Sequence, residues 1–463
     1  MLKNIELASN KKIHERTSLL RLGFVLALIL NVMLISGCVT TQEDSSLLKV
    51  PSLPSELQEV RNVIDQKFDE NLELISPTSG ENNNSIQFND LDNDGINEVM
   101  VFHKVATDTQ PIKISVLSRN GENSWIVNNT IKGSGYDVNK VVYSDMDNDG
   151  RKEIIVGWQF GTVLEKGLTV YEYNKGEISE IFQTSYTEFT VDDFTSDGTS
   201  ELVTIRLNRN EGNSTALLYE YKNKLINIID ETDMDGYING YYAIKTGKAM
   251  DGKIGFFLDA SLGAHSAFTD LLVYNHGELV NVFYNDKWNV TDMTYKAYPI
   301  KSRDIDEDGI IEIPILRSPL GYSYSSLSET PWITGWFKWD GENGIEFSNN
   351  SYSNVNFGFE YIFPKQWDDN ITIEIIGKNL DTISFKEYSK NGSKEIFSIM
   401  TITSEEYAIE KDKLSSKGYV KFNNTFKNVY LYKKNVNYKP DMPYSVSDVD
   451  ITENFQISFD TYN

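Results

Sequence analysis

The chain has 463 residues, with 68 Asp and Glu against 43 Lys and Arg and a formal charge of −25. That length exceeds one ordinary hydrophobic core and implies at least two domains. A single cysteine excludes an internal disulfide framework, a Cys-clustered zinc site and an iron–sulfur centre, and the acidic balance argues against nucleic acid, whose phosphates need a basic face.

Lys3, Lys11, Lys12, Arg16 and Arg21 form a basic leader ahead of an apolar run, residues 22–37, broken only by Asn31 and Ser36. The run is shorter than the roughly 20 residues that span a hydrocarbon core, and its flanks are those of a secretory leader. It ends in Leu34-Ile35-Ser36-Gly37-Cys38, which resembles the lipobox of bacterial lipoproteins. The resemblance implies cleavage before Cys38 and a lipid thioether on its sulfur. The body would then sit on the outer face of the cytoplasmic membrane, with the membrane as a partner through the lipidated Cys38. Two acyl chains at roughly 0.8 kcal/mol per buried CH₂ suffice for such anchoring. Residues 38–75 read as a polar tether with one short helix, for which Ser55 is the expected N-cap and Leu57, Val60 and Ile64 recur at helical spacing.

A repeat dominates the chain beyond the tether. Asp90-Leu-Asp-Asn-Asp-Gly-Ile-Asn-Glu98 returns as Asp145-Met-Asp-Asn-Asp-Gly-Arg-Lys-Glu153, as Asp193-Phe-Thr-Ser-Asp-Gly-Thr-Ser-Glu201 and as Asp304-Ile-Asp-Glu-Asp-Gly-Ile-Ile-Glu312. The phase places a fourth, degenerate copy at residues 247–255, which keeps Asp251 and Gly252 but not the other acids. Runs rich in β-branched and aromatic residues flank each loop, and two more fill each period, as at 112–117 with 125–131 and 168–173 with 178–184. Four antiparallel strands per period make one propeller blade. The copies resemble the FG-GAP/VCBS repeats of integrin-alpha-like β-propellers, over roughly residues 76–350. The expected fold is therefore mainly β, with about five four-stranded blades and then a small α+β domain over residues 351–463. Residues 72–75 are expected to pair with the last blade and close the ring.

Carboxylates at loop positions 1, 3, 5 and 9 converge once the Gly at position 6 turns the chain, and hard oxygen donors suit Ca²⁺. The expected ligands are Asp90, Asp92, Asp94, the Ile96 carbonyl and Glu98 in the first copy. They are Asp145, Asp147, Asp149, the Arg151 carbonyl and Glu153 in the second, and Asp304, Asp306, Asp308, the Ile310 carbonyl and Glu312 in the last. In the third copy Thr195 replaces one acid, so Asp193, Asp197, the Thr199 carbonyl and Glu201 should bind more weakly. An EF-hand would need an acid at position 12, where Val101, Val156, Thr204 and Ile315 stand. About four structural Ca²⁺ sites are expected, each clamping a hairpin, with no open position for a substrate.

In the last hundred residues Thr403 with Glu406 signals a capping box opening a helix through about Leu414, and a second helix is expected after Ser447. No HExxH, GxSxG, phosphate-loop or dinucleotide motif is present. Outside the leader the histidines are His103, His265 and His276. Trp332, Trp336 and Trp339 stand in the most aromatic segment and form a possible platform for a sugar or a protein partner. The functional expectation is a surface binding or scaffolding module with a protein or glycan ligand and no catalytic residues. The alternatives are a glycoside hydrolase using channel-facing carboxylates such as Asp259 and Asp270, and an extracytoplasmic sensor partner of a membrane signalling system.

Overall fold

The computed structural model describes residues 54–458 apart from 69, 122–123, 162–164, 264, 286 and 378–380. The leader and Cys38 lie outside the described residues. Two compact units are distinguished, Met1–Lys67 and Phe68–Asn463. Described in the first is a helix, Ser55–Lys67, opened by a hydrogen bond from the Gln58 amide to the Pro54 carbonyl at 3.1 Å. No helix among the described residues is long and apolar enough to cross a membrane.

The second unit is a succession of antiparallel sheets; among the described residues three are four-stranded, three five-stranded and one two-stranded. The second sheet runs Asp137–Ser144, Glu153–Gln159, Lys166–Asn174 and Glu177–Tyr186 in sequential order. The third repeats this with Glu188–Asp192, Glu201–Asn208, Asn213–Lys222 and Leu225–Asp235, and the fourth with Gly240–Met250, Lys253–Gly263, Ser266–Asn275 and Glu278–Asn281.

The stacking of these sheets explains why the strand after each acidic loop reads as an unbroken apolar run. Ile154 and Val156 pack toward the first sheet, in one core with Phe102, Ile114 and Val116. Ile155, between them, packs toward the third, with Leu202 and Leu217. The alternation repeats at Phe256 and Leu258 against Phe257, which face the third and fifth sheets respectively. Side chains of a strand alternate between faces, and a strand buried on both loses its polar positions.

In the first sheet Glu98–Val105, Ile112–Arg119 and Trp125–Lys132 are joined by two short strands on one edge. Ile86–Asn89 covers the stretch from Glu98 to Val101, and Leu72–Leu74 takes His103 to Val105. This corrects the expected pairing of residues 72–75 with the last blade: the eight-residue strand Glu98–Val105 outruns Ile86–Asn89, and the remaining backbone groups pair with Leu72–Leu74.

A boundary at residue 350 is also corrected. The fifth sheet is Ile313–Arg317, Ile333–Trp339, Ile345–Asn354, Phe359–Ile362 and Phe455–Ile457, so one strand crosses that boundary and the last returns from the far C-terminus. Arg303 pairs with Glu360, itself 2% exposed and bonded by Ser351 and Ser353. Beyond it lies a sheet ordered Ile371–Ile376, Thr382–Glu387, Lys394–Thr403, Asn428–Lys434, Val420–Asn424. One core spans both, with Ile333, Tyr352 and Tyr361 against Phe385, Phe397 and Tyr430. Helix Ser404–Ser416 carries the expected capping box, with both halves formed between Thr403 and Glu406, and Asp448–Glu453 carries one from Ser447 and Asp450.

The fourth sheet holds two buried carboxylates, Asp259 and Asp270, the pair that the alternative glycoside-hydrolase reading would use. Asp259 stands opposite Thr269, and Asp270 opposite Leu258, so the two side chains leave opposite faces and share no cleft. Asp259 meets the buried Lys296 ammonium at 3.0 Å and accepts from Thr269 and Ser302. Asp270 has no such partner. Its Oδ1 accepts from Thr291 at 2.5 Å and Asn281 at 2.8 Å, while Oδ2 is buried without a partner.

Burial pushes the Asp270 carboxyl up from 3.8 to about 7, with the Asp235 charge adding to the shift. The folded state therefore holds this proton more tightly than the unfolded chain. Its contribution to stability is greatest below about pH 4 and declines as pH rises to about 7. Asp270→Asn keeps both donors satisfied and removes the charge. It should raise stability by on the order of 2 kcal/mol at pH 8 and converge with the parent near pH 4, which urea melts at the two pH values would check.

Candidate metal-binding loops

Each of the first three acidic loops joins two neighbouring strands of its sheet, the last leads into Ile313–Arg317 behind an isolated bridge between Arg303 and Glu312, and all four share one hydrogen-bond plan. The position-1 carboxylate accepts from the amides at positions 5 and 6: Asp90 from Asp94 at 3.2 Å and Gly95 at 3.0 Å, and Asp145 from Asp149 at 3.1 Å and Gly150 at 2.9 Å. Asp193 does so with Asp197 and Gly198, and Asp304 with Asp308 and Gly309. The position-5 acid accepts from the amide at position 7, and one oxygen of the position-9 Glu accepts from position 2, as Glu98 does from Leu91 at 3.0 Å and Glu153 from Met146 at 2.8 Å. Two left-handed residues make the turn, at positions 4 and 6, with φ of 60° at Asn93 and 86° at Gly95. Asparagine and glycine enter that region most readily.

These bonds aim the remaining carboxylate oxygens inward. Ligand oxygens of Asp90, Asp92 and Asp94 lie within 4.8 Å of one another, as do those of Asp145, Asp147 and Glu153, of Asp193, Asp197 and Glu201, and of Asp304, Asp306, Asp308 and Glu312. Such convergence is unfavourable for the bare anions. Burial raises the Glu98 carboxyl to about 7 and Glu153 to about 8, neighbouring aspartates adding to both. Glu201 and Glu312 are raised from the same first cause. The Oδ1 atoms of Asp92 and Asp147 are buried with no hydrogen-bond partner. An orphaned acceptor at the focus of three acids fits a hard cation such as Ca²⁺. Thr195 uses its hydroxyl on Glu201 at 3.0 Å, filling the third loop where the others place a carboxylate. At the degenerate copy Asp251 and Gly252 form only the tight turn between Gly240–Met250 and Lys253–Gly263.

Two further features went unread in the sequence. Lys338 reaches into the last loop, with its Nζ 3.4 Å from Asp306 and 3.2 Å from Glu312, and paired with Asp308. Arg151 folds back on Asp149 and also meets Glu172 at 3.2 Å. Lys338 lies outside the loop motif, and Arg151 stands at its position 7, where the sequence pointed only to the carbonyl. Their signal is the strand register beside each loop, which a linear scan does not display.

The aromatic platform contracts. Trp336 is 1% exposed and Trp339 is 3% exposed, both held in the sheet core, with Trp336 Nε1 donating to Ser351. Trp332 alone is half-buried and borders a cavity of about 500 Å³ with Tyr298, Leu327, Thr330, Asn354 and Asn356. The Tyr298 ring stands edge-on to Trp332 at 6.4 Å, and exposed His265 stands edge-on to Tyr298 at 5.8 Å. His103 is a buried, neutral residue. Burial lowers it to about 4, and it bonds Ser115 at 2.9 Å. His276 occupies an exposed turn with φ of 53°.

No protein-family model matches the chain, and no curated protein matches it. Solved structures with a related arrangement include a rhamnogalacturonan lyase of Bacillus licheniformis, at 13% identity over 79% of this chain and 76% of that one with a TM-score of 0.33. The β-propeller domain of the trilobed protease from Pyrococcus furiosus matches at 11% identity, 68% and 92% coverage and a TM-score of 0.29. A levansucrase mutant of B. megaterium is 10% identical over 66% and 89%, with a TM-score of 0.25. Similarity at this level carries no argument about activity.

Proposed function

We propose that the chain is an exported, lipid-anchored β-propeller of five FG-GAP/VCBS-like blades, loaded with Ca²⁺ and serving as a surface module that captures a glycan. The observation that carries the reading is the fourfold recurrence of one loop geometry, with buried carboxylate oxygens left for a cation in the first two copies. Calcium would stiffen each hairpin at the point where two strands of a blade separate, a structural rather than chemical role. Anchoring through Cys38 would hold the body on the outer face of the cytoplasmic membrane.

Support for a glycan as the ligand comes from the cavity beside Trp332. An indole and a phenol ring meet amides and hydroxyls there, the mixture that stacks on a sugar's apolar face while bonding its rim. The opposed orientation of Asp259 and Asp270 removes the carboxylate pair on which the hydrolase reading leaned.

A glycan-array screen of the full chain tests the assignment. Retention of a carbohydrate without turnover, lost at least tenfold in Trp332→Ala with an unchanged melting temperature, is the expected result. Capture indifferent to this substitution would remove the cavity from the reading.

A further inference from the structure

We infer that Lys338 is a tethered cation that occupies the last acidic loop in place of a metal ion, so that the protein takes up three calcium ions and not four. The inference deepens the calcium reading above and rests on it.

The register makes the case. In the first sheet Val99, the residue after Glu98, stands opposite Leu117, so the next residue along that neighbouring strand is Ser118. In the second sheet Ile154 stands opposite Tyr171, and the corresponding residue is Glu172. In the third, Leu202 stands opposite Tyr219, giving Glu220. In the fifth, Ile313 stands opposite Phe337, giving Lys338. One structural position flanks all four loops, and it is neutral, acidic, acidic and then basic.

The acidic occupants turn to other cations, Glu172 to Arg151 at 3.2 Å and Glu220 to Lys222 at 2.8 Å. Lys338 turns to the loop itself and touches three of the four carboxylates that the other copies aim at an ion: Asp306, Asp308 and Glu312. Ser348 completes the enclosure, donating to Asp306 at 3.3 Å and to Glu312 at 3.2 Å. Glu312 is wholly buried, so this contact is sheltered from solvent screening. A calcium ion entering here must displace an ammonium that the chain delivers at high effective concentration, whereas the first three loops offer no such competitor at this position. The order of affinities read from composition is thereby reversed. The last loop, richest in acids, becomes the weakest calcium site, and the third, with Thr195, stays above it.

Calcium titration by calorimetry of the chelator-stripped full chain is the test, run beside Lys338→Met, Lys338→Gln and Lys338→Arg. The expected stoichiometry is three ions in the parent and in Lys338→Arg, and four in the two neutral variants. In chelator the neutral variants should melt below the parent, and saturating calcium should close that gap. Should one neutral variant fold poorly without calcium, the other gives the count. Four ions in the unaltered protein, or no gain in either neutral variant, would overturn the role given to Lys338 while leaving calcium binding intact. No uptake by any of the proteins would remove the calcium reading, and this inference with it.

Discussion

If the proposed calcium sites are filled, chelation should lower the melting temperature of the full chain by on the order of 10 °C. A ligand bound only by the native state stabilises it by about 2.7 kcal/mol when present at a hundredfold its dissociation constant. Three loops at that saturation contribute roughly 8 kcal/mol. Unfolding entropies run near 2 cal/mol/K per residue, so a body of about 400 residues shifts by roughly 1 °C for each 0.8 kcal/mol. The direction comes from the loops themselves. In each of the first three, three carboxylates converge within 4.8 Å, and in the first two a buried oxygen is left with no partner. Without a cation, burial favours the protonated form of Glu98 and Glu153, whose carboxyls are pushed up to about 7 and about 8. Melts tracked by far-ultraviolet circular dichroism in excess calcium and in chelator provide the measurement. Magnesium should restore only part of the loss, because its small octahedral shell suits a crowded loop poorly. Superimposable curves in calcium and chelator would contradict the loops' assigned role.

How much of this was legible in the chain depends on the range of the interaction. The loops were readable because their geometry is local. The amide-to-carboxylate hydrogen bonds that shape the first copy run between Asp90 and Glu98, within a nine-residue signature. The capping box at Thr403 and Glu406 was readable for the same reason. Strands of the repeat were legible from periodicity, since burial on both faces leaves an apolar run such as 154–156 that no helix or loop would carry here. What remained hidden is set by pairs distant in sequence. Lys338 lies 30 residues from Asp308, and nothing in the intervening chain declares that they meet. Leu72–Leu74 pairs with its own sheet because of an edge vacancy that depends on the length of another strand. Whether Trp336 and Trp339 form a platform or pack within the sheets stayed open in the sequence, because alternation assigns faces but does not reveal that both faces are covered.

The second large effect concerns the junction that the end of the repeat placed at residue 350. Phe385→Ala should cost about 3–5 kcal/mol and destabilise the fifth sheet together with the C-terminal one. The ring is fully buried. It stacks on Phe397 at 4.9 Å and 14° and meets Tyr361 at 5.0 Å, Trp367 at 5.9 Å and Tyr352 at 6.1 Å. Tyr352 and Tyr361 belong to the fifth sheet, and Phe397 to the sheet beyond, so truncation opens a cavity shared by both. Were residues 351–463 an autonomous domain, the substitution would lower one transition and leave the calcium-dependent one unmoved. A shared core predicts that both move together. The same logic says that a chain cut at residue 350 loses Phe359–Ile362 and Phe455–Ile457 from the fifth sheet, along with the Glu360 carboxylate that Arg303 requires, and fails to fold around its last acidic loop. Calorimetric scans of the substituted full chain in saturating calcium decide between them. A single lowered transition fits the shared core, and a separate early one would restore the boundary at 350.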